Sequence, residues 1–158
     1  MSNEVVAALA GAVVGAVLGS GITLLIEWWK GRTRRKAHWA ALAAEMDYCR
    51  DRAETYLRDK PAAPLYRLPT VAYAHSLPAL LEEAALLDET DTRKLLSFFN
   101  EVETFNRGLD QVDRARLITD PAEQERNIQA EYTRNRLKAE SLARDYYDDA
   151  KAVVGKYR

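Results

Sequence analysis

"LLSFFNEVETFNRGLDQV", residues Leu95 to Val112, decides how the chain folds. Leu95, Phe98, Val102, Phe105, Leu109 and Val112 recur at alternating steps of three and four. That repeat gathers side chains onto one stripe of an α-helix, whereas a half-buried strand would alternate every second residue. A helix with one apolar stripe is stabilised by packing the stripe against other helices, so the stretch predicts a bundle. Asp91, just upstream, is suited to cap its N-terminus.

Downstream, "TDPAEQ" marks a sharp boundary at Thr119 to Gln124. Asp120 can cap, Pro121 suits the first helical position, and Glu123 completes a D-x-x-E box. A last helix is expected from Pro121 to Val154, with Ile128, Tyr132, Ala139, Leu142, Tyr146, Val153 and Tyr157 as its stripe and Glu140–Arg144 as an ion pair on the wet face. The short join between these helices makes them antiparallel neighbours.

Upstream, Trp39, Leu42, Met46, Cys49, Ala53 and Tyr56 repeat the three-four spacing and predict a partner helix. Cys49 falls on that seam as core filler; as the sole cysteine it can form no intrachain disulfide. Between the two seams Pro61, Pro64, Pro69 and Pro78 forbid one continuous helix. Lys60 to Thr70 reads as a connector, expected to fold back over the bundle with a partner-docking surface as the alternative, and about Pro78 to Leu87 as a short helix. Leu65, Tyr66, Leu68, Val71 and Tyr73 make that region unusually apolar for a loop.

The N-terminal stretch has a different character. Val5 to Ile26 carries no charged side chain, and 22 residues rising about 1.5 Å each reach about 33 Å, against a hydrocarbon core of about 30 Å. Trp28 and Trp29 follow, then Lys30, Arg32, Arg34, Arg35 and Lys36. Aromatic rings favour the headgroup layer and cations favour the cytoplasmic flank, so these seven residues are expected to contact lipid headgroups. An export signal would carry its positive charge before the apolar run. Within the run Gly11, Gly15 and Gly19 recur every fourth residue and predict a groove through which spans self-associate. Ser20 and Thr23 do not make a continuous polar lining, and Glu27 is expected to pair with Lys30.

Residues 1–36 carry a net charge of +3 and the remainder −4, within a whole-chain charge of −1. A mildly acidic body argues against nucleic acid as a partner, because duplex binding needs clustered cations. The sequence holds no P-loop, G-x-G-x-x-G, H-E-x-x-H, C-x-x-C or E-x-x-H pattern, so it points to no enzyme, cofactor or metal site. His38 and His75 are given no role.

The expected fold class is therefore all-α: one N-terminal transmembrane helix followed by a cytoplasmic three- or four-helix antiparallel bundle. Residues 1–29 form the anchor with its glycine face, 30–36 the basic juxtamembrane segment, and 37–158 the bundle. "GAVVGAVLGSG", "GRTRRK" and "LLSFFNEVETFN" give a layout that resembles a broad group of uncharacterised bacterial single-span inner-membrane proteins with a cytoplasmic helical body. That resemblance implies a bacterial inner-membrane location and no particular reaction; the cations after the apolar run are what put the N-terminus outside and the body in the cytoplasm. The function expected is a self-associating scaffold or interaction module whose partners are membrane lipids, further copies of itself and a protein docked on the bundle. The alternative is a small membrane-permeabilising effector whose glycine-rich spans assemble into a pore.

Overall fold

A computed structural model describes residues 3–59, 67–83 and 87–157, with side chains at 21–58, 67–82 and 87–157. All the described elements are helical: α1 (Asn3–Asp59), α2 (Val71–Glu83), α3 (Glu89–Ala115), α4 (Pro121–Ser141), a π-turn (Leu142–Tyr146) and α5 (Tyr147–Tyr157). Residues 1–37 and 38–158 form two compact units.

Among the described residues no helix is long and apolar enough to cross a membrane. The expected span covers Val5 to Ile26. Its part from Val5 to Ser20, with Gly11, Gly15 and Gly19, lies outside the residues whose surroundings are described.

In the unit of residues 38–158 both seams are buried as their spacing predicts. Trp39, Leu42, Met46, Cys49, Ala53 and Tyr56 of α1 join Leu95, Phe98, Val102, Phe105 and Leu109 of α3 in one core, and Val112 is buried as well. Burying each large apolar side chain contributes about 1.5–3 kcal/mol, and the three buried phenylalanines, Phe98, Phe99 and Phe105, form its centre. Tyr56 meets Phe105 edge-on with ring centres 5.1 Å apart, and Tyr73 of α2 stacks on Phe99 at 4.3 Å.

Contacts fix the directions. Glu45 reaches Ala72 while His38 reaches Ser76, so α2 runs antiparallel to α1; Leu68 meets Asn106 while Tyr73 meets Phe99, so it is antiparallel to α3 as well. Lys138 reaches Thr104 and Lys156 reaches Asp91, which makes α4 and α5 antiparallel to α3. This unit is an up-down-up-down bundle of four elements, the last one interrupted.

The local signals are corrected in four places. The N-cap of α3 is Asp88, not Asp91: Asp88 Oδ1 accepts from the Asp91 amide at 2.7 Å, because the chain is already helical when it reaches Asp91. At α4 the expected cap holds, with Asp120 accepting from Ala122 N at 3.0 Å and Pro121 opening the helix. Secondly, α2 begins at Val71 and carries Pro78 inside it, rather than beginning at Pro78. Thirdly, the last helix continues to Tyr157 but is broken by the π-turn. Leu142 and Ala143 at the start of the π-turn and Tyr147 just after it are all buried, so Tyr147 takes the core position expected of Tyr146. Finally, Glu140 pairs with Arg136 at 3.3 Å instead of Arg144, since the π-turn interrupts the register just beyond it.

Candidate functional site

The N-terminal unit supplies the residues predicted to meet headgroups. Ile22, Leu24, Leu25, Ile26, Trp28 and Trp29 are each at least 47% exposed, an unusual run of apolar surface. Of the cations that follow, Lys30, Arg32, Arg34 and Lys36 are exposed and Arg35 is half-buried. The Arg32 guanidinium lies 5.6 Å above the Trp28 ring, a cation–π contact that holds charge against an aromatic face. Thr33 Oγ1 donates to the Trp29 carbonyl at 3.0 Å, satisfying its hydroxyl inside the helix. Glu27 is exposed, and among the described residues no ion pair joins it to Lys30, contrary to expectation. Two flexible side chains in water gain little by holding one geometry.

In the bundle, the end of the connector is tied down by side chains that local sequence patterns did not single out. Glu45, buried in α1, accepts from Ala72 N at 2.7 Å and from Tyr73 N at 2.9 Å. It supplies α2 with an N-terminal cap from 27 residues away. Asn106 of α3 accepts from Leu68 N and donates to Leu68 O, both at 2.8 Å. Cys49 Sγ donates to Pro69 O at 3.5 Å; burial, then the Glu45 charge, pushes its thiol up to about 12. Such a thiol is protonated and a poor nucleophile. The described end of the connector, Arg67 to Thr70, is thus folded back onto the bundle; Lys60 to Tyr66 lies outside the described residues.

Other polar side chains join elements too. His38 Nδ1 and Ser76 Oγ are 3.2 Å apart, but Ser76 is buried and closed to a substrate. Asp47 accepts from the Tyr147 hydroxyl at 2.6 Å and from Lys151, with the Arg50 guanidinium 4.9 Å from the Tyr147 ring centre. Burial raises the Asp47 carboxyl, but hydrogen bonds from Lys151 and Tyr147 outweigh it and leave the group below its ordinary value. At the C-terminal end Asp91 Oδ2 accepts from Lys156 Nζ and Tyr157 Oη, each at 2.7 Å. These bonds, the lysine's foremost, hold its carboxyl down. Tyr157 also stacks on Trp39 with centres 5.6 Å apart.

Asn135 is fully buried on α4, and neither end of its amide has a hydrogen-bond partner. It fits only because it faces Gly108: a Cβ there would lie 1.8 Å from Asn135 Oδ1. Tyr56 Oη and Glu131 Oε2 are also buried without a partner, and burial pushes the Tyr56 phenol up to about 12. Asn135 sits close enough to act on that phenol, though the two form no hydrogen bond of ordinary geometry. The signal for Asn135 was its place on the stripe, midway between Tyr132 and Ala139. Among the described residues no group of His, Cys, Asp or Glu is arranged to hold a metal ion.

Compared with protein-family models, curated proteins and solved structures, the chain matches none.

Proposed function

We propose that the protein is a membrane-anchored, self-associating helical scaffold or interaction module at the cytoplasmic face of a bacterial inner membrane, its N-terminus outside. The observation that carries this reading is the exposed run from Ile22 to Trp29, followed at once by five cations. Apolar surface of that extent is stable only when covered, and a bilayer covers it while its anionic headgroups meet Lys30, Arg32, Arg34, Arg35 and Lys36. The preceding charge-free residues complete a length sufficient to span, and Gly11, Gly15 and Gly19 give the spans a face on which to pack. The bundle, whose Glu45, Asn106, Asp47 and Asp91 tie its own elements together, presents a partner with a stable surface; its role is binding rather than catalysis.

Cross-linking in native membranes tests both parts of this proposal. The protein should sediment with membranes after carbonate washing, and Gly15→Leu should lose cross-linked oligomer while Val17→Leu, on the opposite side of the helix, keeps it. Release by carbonate would overturn the anchor. Equal cross-linking of the two variants would overturn the glycine face, and depolarisation of cells expressing the protein would replace the scaffold with a permeabilising effector.

A further inference from the structure

Helix α2 is apolar on both sides. Its inner side buries Ser76, Leu77 and Leu80, with Ala72, Tyr73 and Ala79 half-buried around them. Every other described side chain of α2 is exposed, and these share one sector. Taking Val71 as zero at about 100° per residue, Leu81 falls at about 280°, Ala74 at about 300°, Pro78 at about 340°, Glu82 at about 20° and His75 at about 40°. The four apolar residues centre on about 320°, opposite buried Ser76 and Leu80 at about 140° and 180°. The flanks of α2 add to this surface. Exposed Tyr48 of α1 lines a cleft with Leu68 and Pro69 just before α2, and exposed Leu96 of α3 lies one turn from Phe99, on which Tyr73 stacks. Among the described residues 38–158, the only large apolar side chains exposed elsewhere are Leu117 and Leu137. Apolar surface gathered in this way marks a contact.

We propose that this side of α2 packs against the same side of α2 in a second copy of the chain, the two helices running parallel. Val71, Ala74, Pro78 and Leu81 step by three, four and three, the spacing of a coiled-coil seam. A β-branched residue opening the seam and a leucine closing it favour two parallel strands. Ala74, one turn before Pro78, leaves room for the proline ring. Charge does not oppose the pairing: His75 and Glu82, the titratable groups among the described side chains of α2, lie off the seam on one flank, and a two-fold axis along the helices puts that flank and its counterpart on opposite sides. The size of the face selects the occupant. It is about 15 Å long and about 10 Å wide, a small part of the roughly 800 Å² that each partner gives to a stable interface, so it would not hold a protein arriving from solution. A copy anchored in the same bilayer is already concentrated and points the same way, and for it a small apolar contact suffices. The proposal rests on the membrane-anchored reading above and adds to it a face on the bundle, distinct from Gly11, Gly15 and Gly19.

The test is disulfide cross-linking of the full chain in native membranes. Cys49 is buried, so the parent should give no linked pair and an added cysteine reports on its own position. Ala74→Cys, on the seam, should link to its counterpart when oxidised, while Leu137→Cys, exposed on α4, should not. In the Ala74→Cys chain, Val71→Glu with Leu81→Glu leaves the buried side of α2 untouched and should reduce the linked pair by about tenfold or more. Leu137→Glu in the same chain should leave it unchanged. Equal linking at residues 74 and 137, a link from residue 74 to a different protein, or no link in a chain that still sediments with membranes after carbonate washing would overturn the proposal and leave the anchor standing. Release of the chain by carbonate would overturn the anchored reading and this proposal with it.

Discussion

Gly108 and Asn135 show what a single residue can demand of its neighbour. A methyl group on residue 108 would meet the Asn135 amide at less than contact distance, and Asn135, fully buried, has nowhere to swing. Gly108→Ala should therefore destabilise the protein by about 2–3 kcal/mol, as overpacking does. Asn135→Ala removes two unpartnered polar atoms but leaves a small void, and these opposing effects should keep it within about 1 kcal/mol of the parent. In the double variant the clash is gone, so its stability should match Asn135→Ala alone. Chemical denaturation of all four proteins gives the coupling directly; a Gly108→Ala protein as stable as the parent would mean that the two helices slide apart easily. None of this was visible in the apolar spacing. Glycine and asparagine both interrupt an apolar pattern, and only their meeting across α3 and α4 explains either.

At the scale of elements, α1 and α3 were legible because their seams hold a strict helical repeat over several turns, and each residue named on them is buried. The start of α2 was not, because its cap belongs to another helix. Local signals offered Pro78 as the natural first residue, while Glu45 satisfies the amides of Ala72 and Tyr73 from across the bundle. Glu45→Ala should destabilise the protein by about 1–2 kcal/mol. It should also speed hydrogen exchange at those two amides more than at amides in the middle of α3. Uniform acceleration throughout would show that Glu45 supports the bundle generally, without any special hold on α2. The π-turn escaped for a related reason: "DYYDD" offers two adjacent tyrosines to the core, and the choice of Tyr147 depends on Asp47 and Arg50 waiting on α1.

Across the whole molecule the seams made an all-α bundle readable, whereas its ties between distant residues depend on tertiary contacts. The clasp of Asp91 with Lys156 and Tyr157 is one of these, and it carries a pH dependence with a definite sign. A carboxyl held below its ordinary value in the folded protein contributes stability above the ordinary carboxylate range, and that contribution is lost as the pH falls through the lowered value. Asp91 and Asp47 both behave in this way. The denaturation midpoint should therefore drop below about pH 4, and Asp91→Asn should give a lower but flatter profile, with Asp47 left to produce the remaining slope. An unchanged slope would show that Asp91 binds its proton equally well folded and unfolded.

The same clasp sets how the bundle would respond to mechanical load. Tyr157 stacks on Trp39, so the last turn of α5 and the residues by which α1 enters this unit lie at one end of it. A pull applied between those two points would act across the helix pair, opening the Trp39–Tyr157 stack and the Lys156 contacts first and reaching the Tyr147–Asp47 tie only later. Contacts opened in sequence share no load, whereas contacts sheared together must all yield at once. The bundle is therefore compliant when drawn from its C-terminus against α1, and a tether attached there would unzip it from that end.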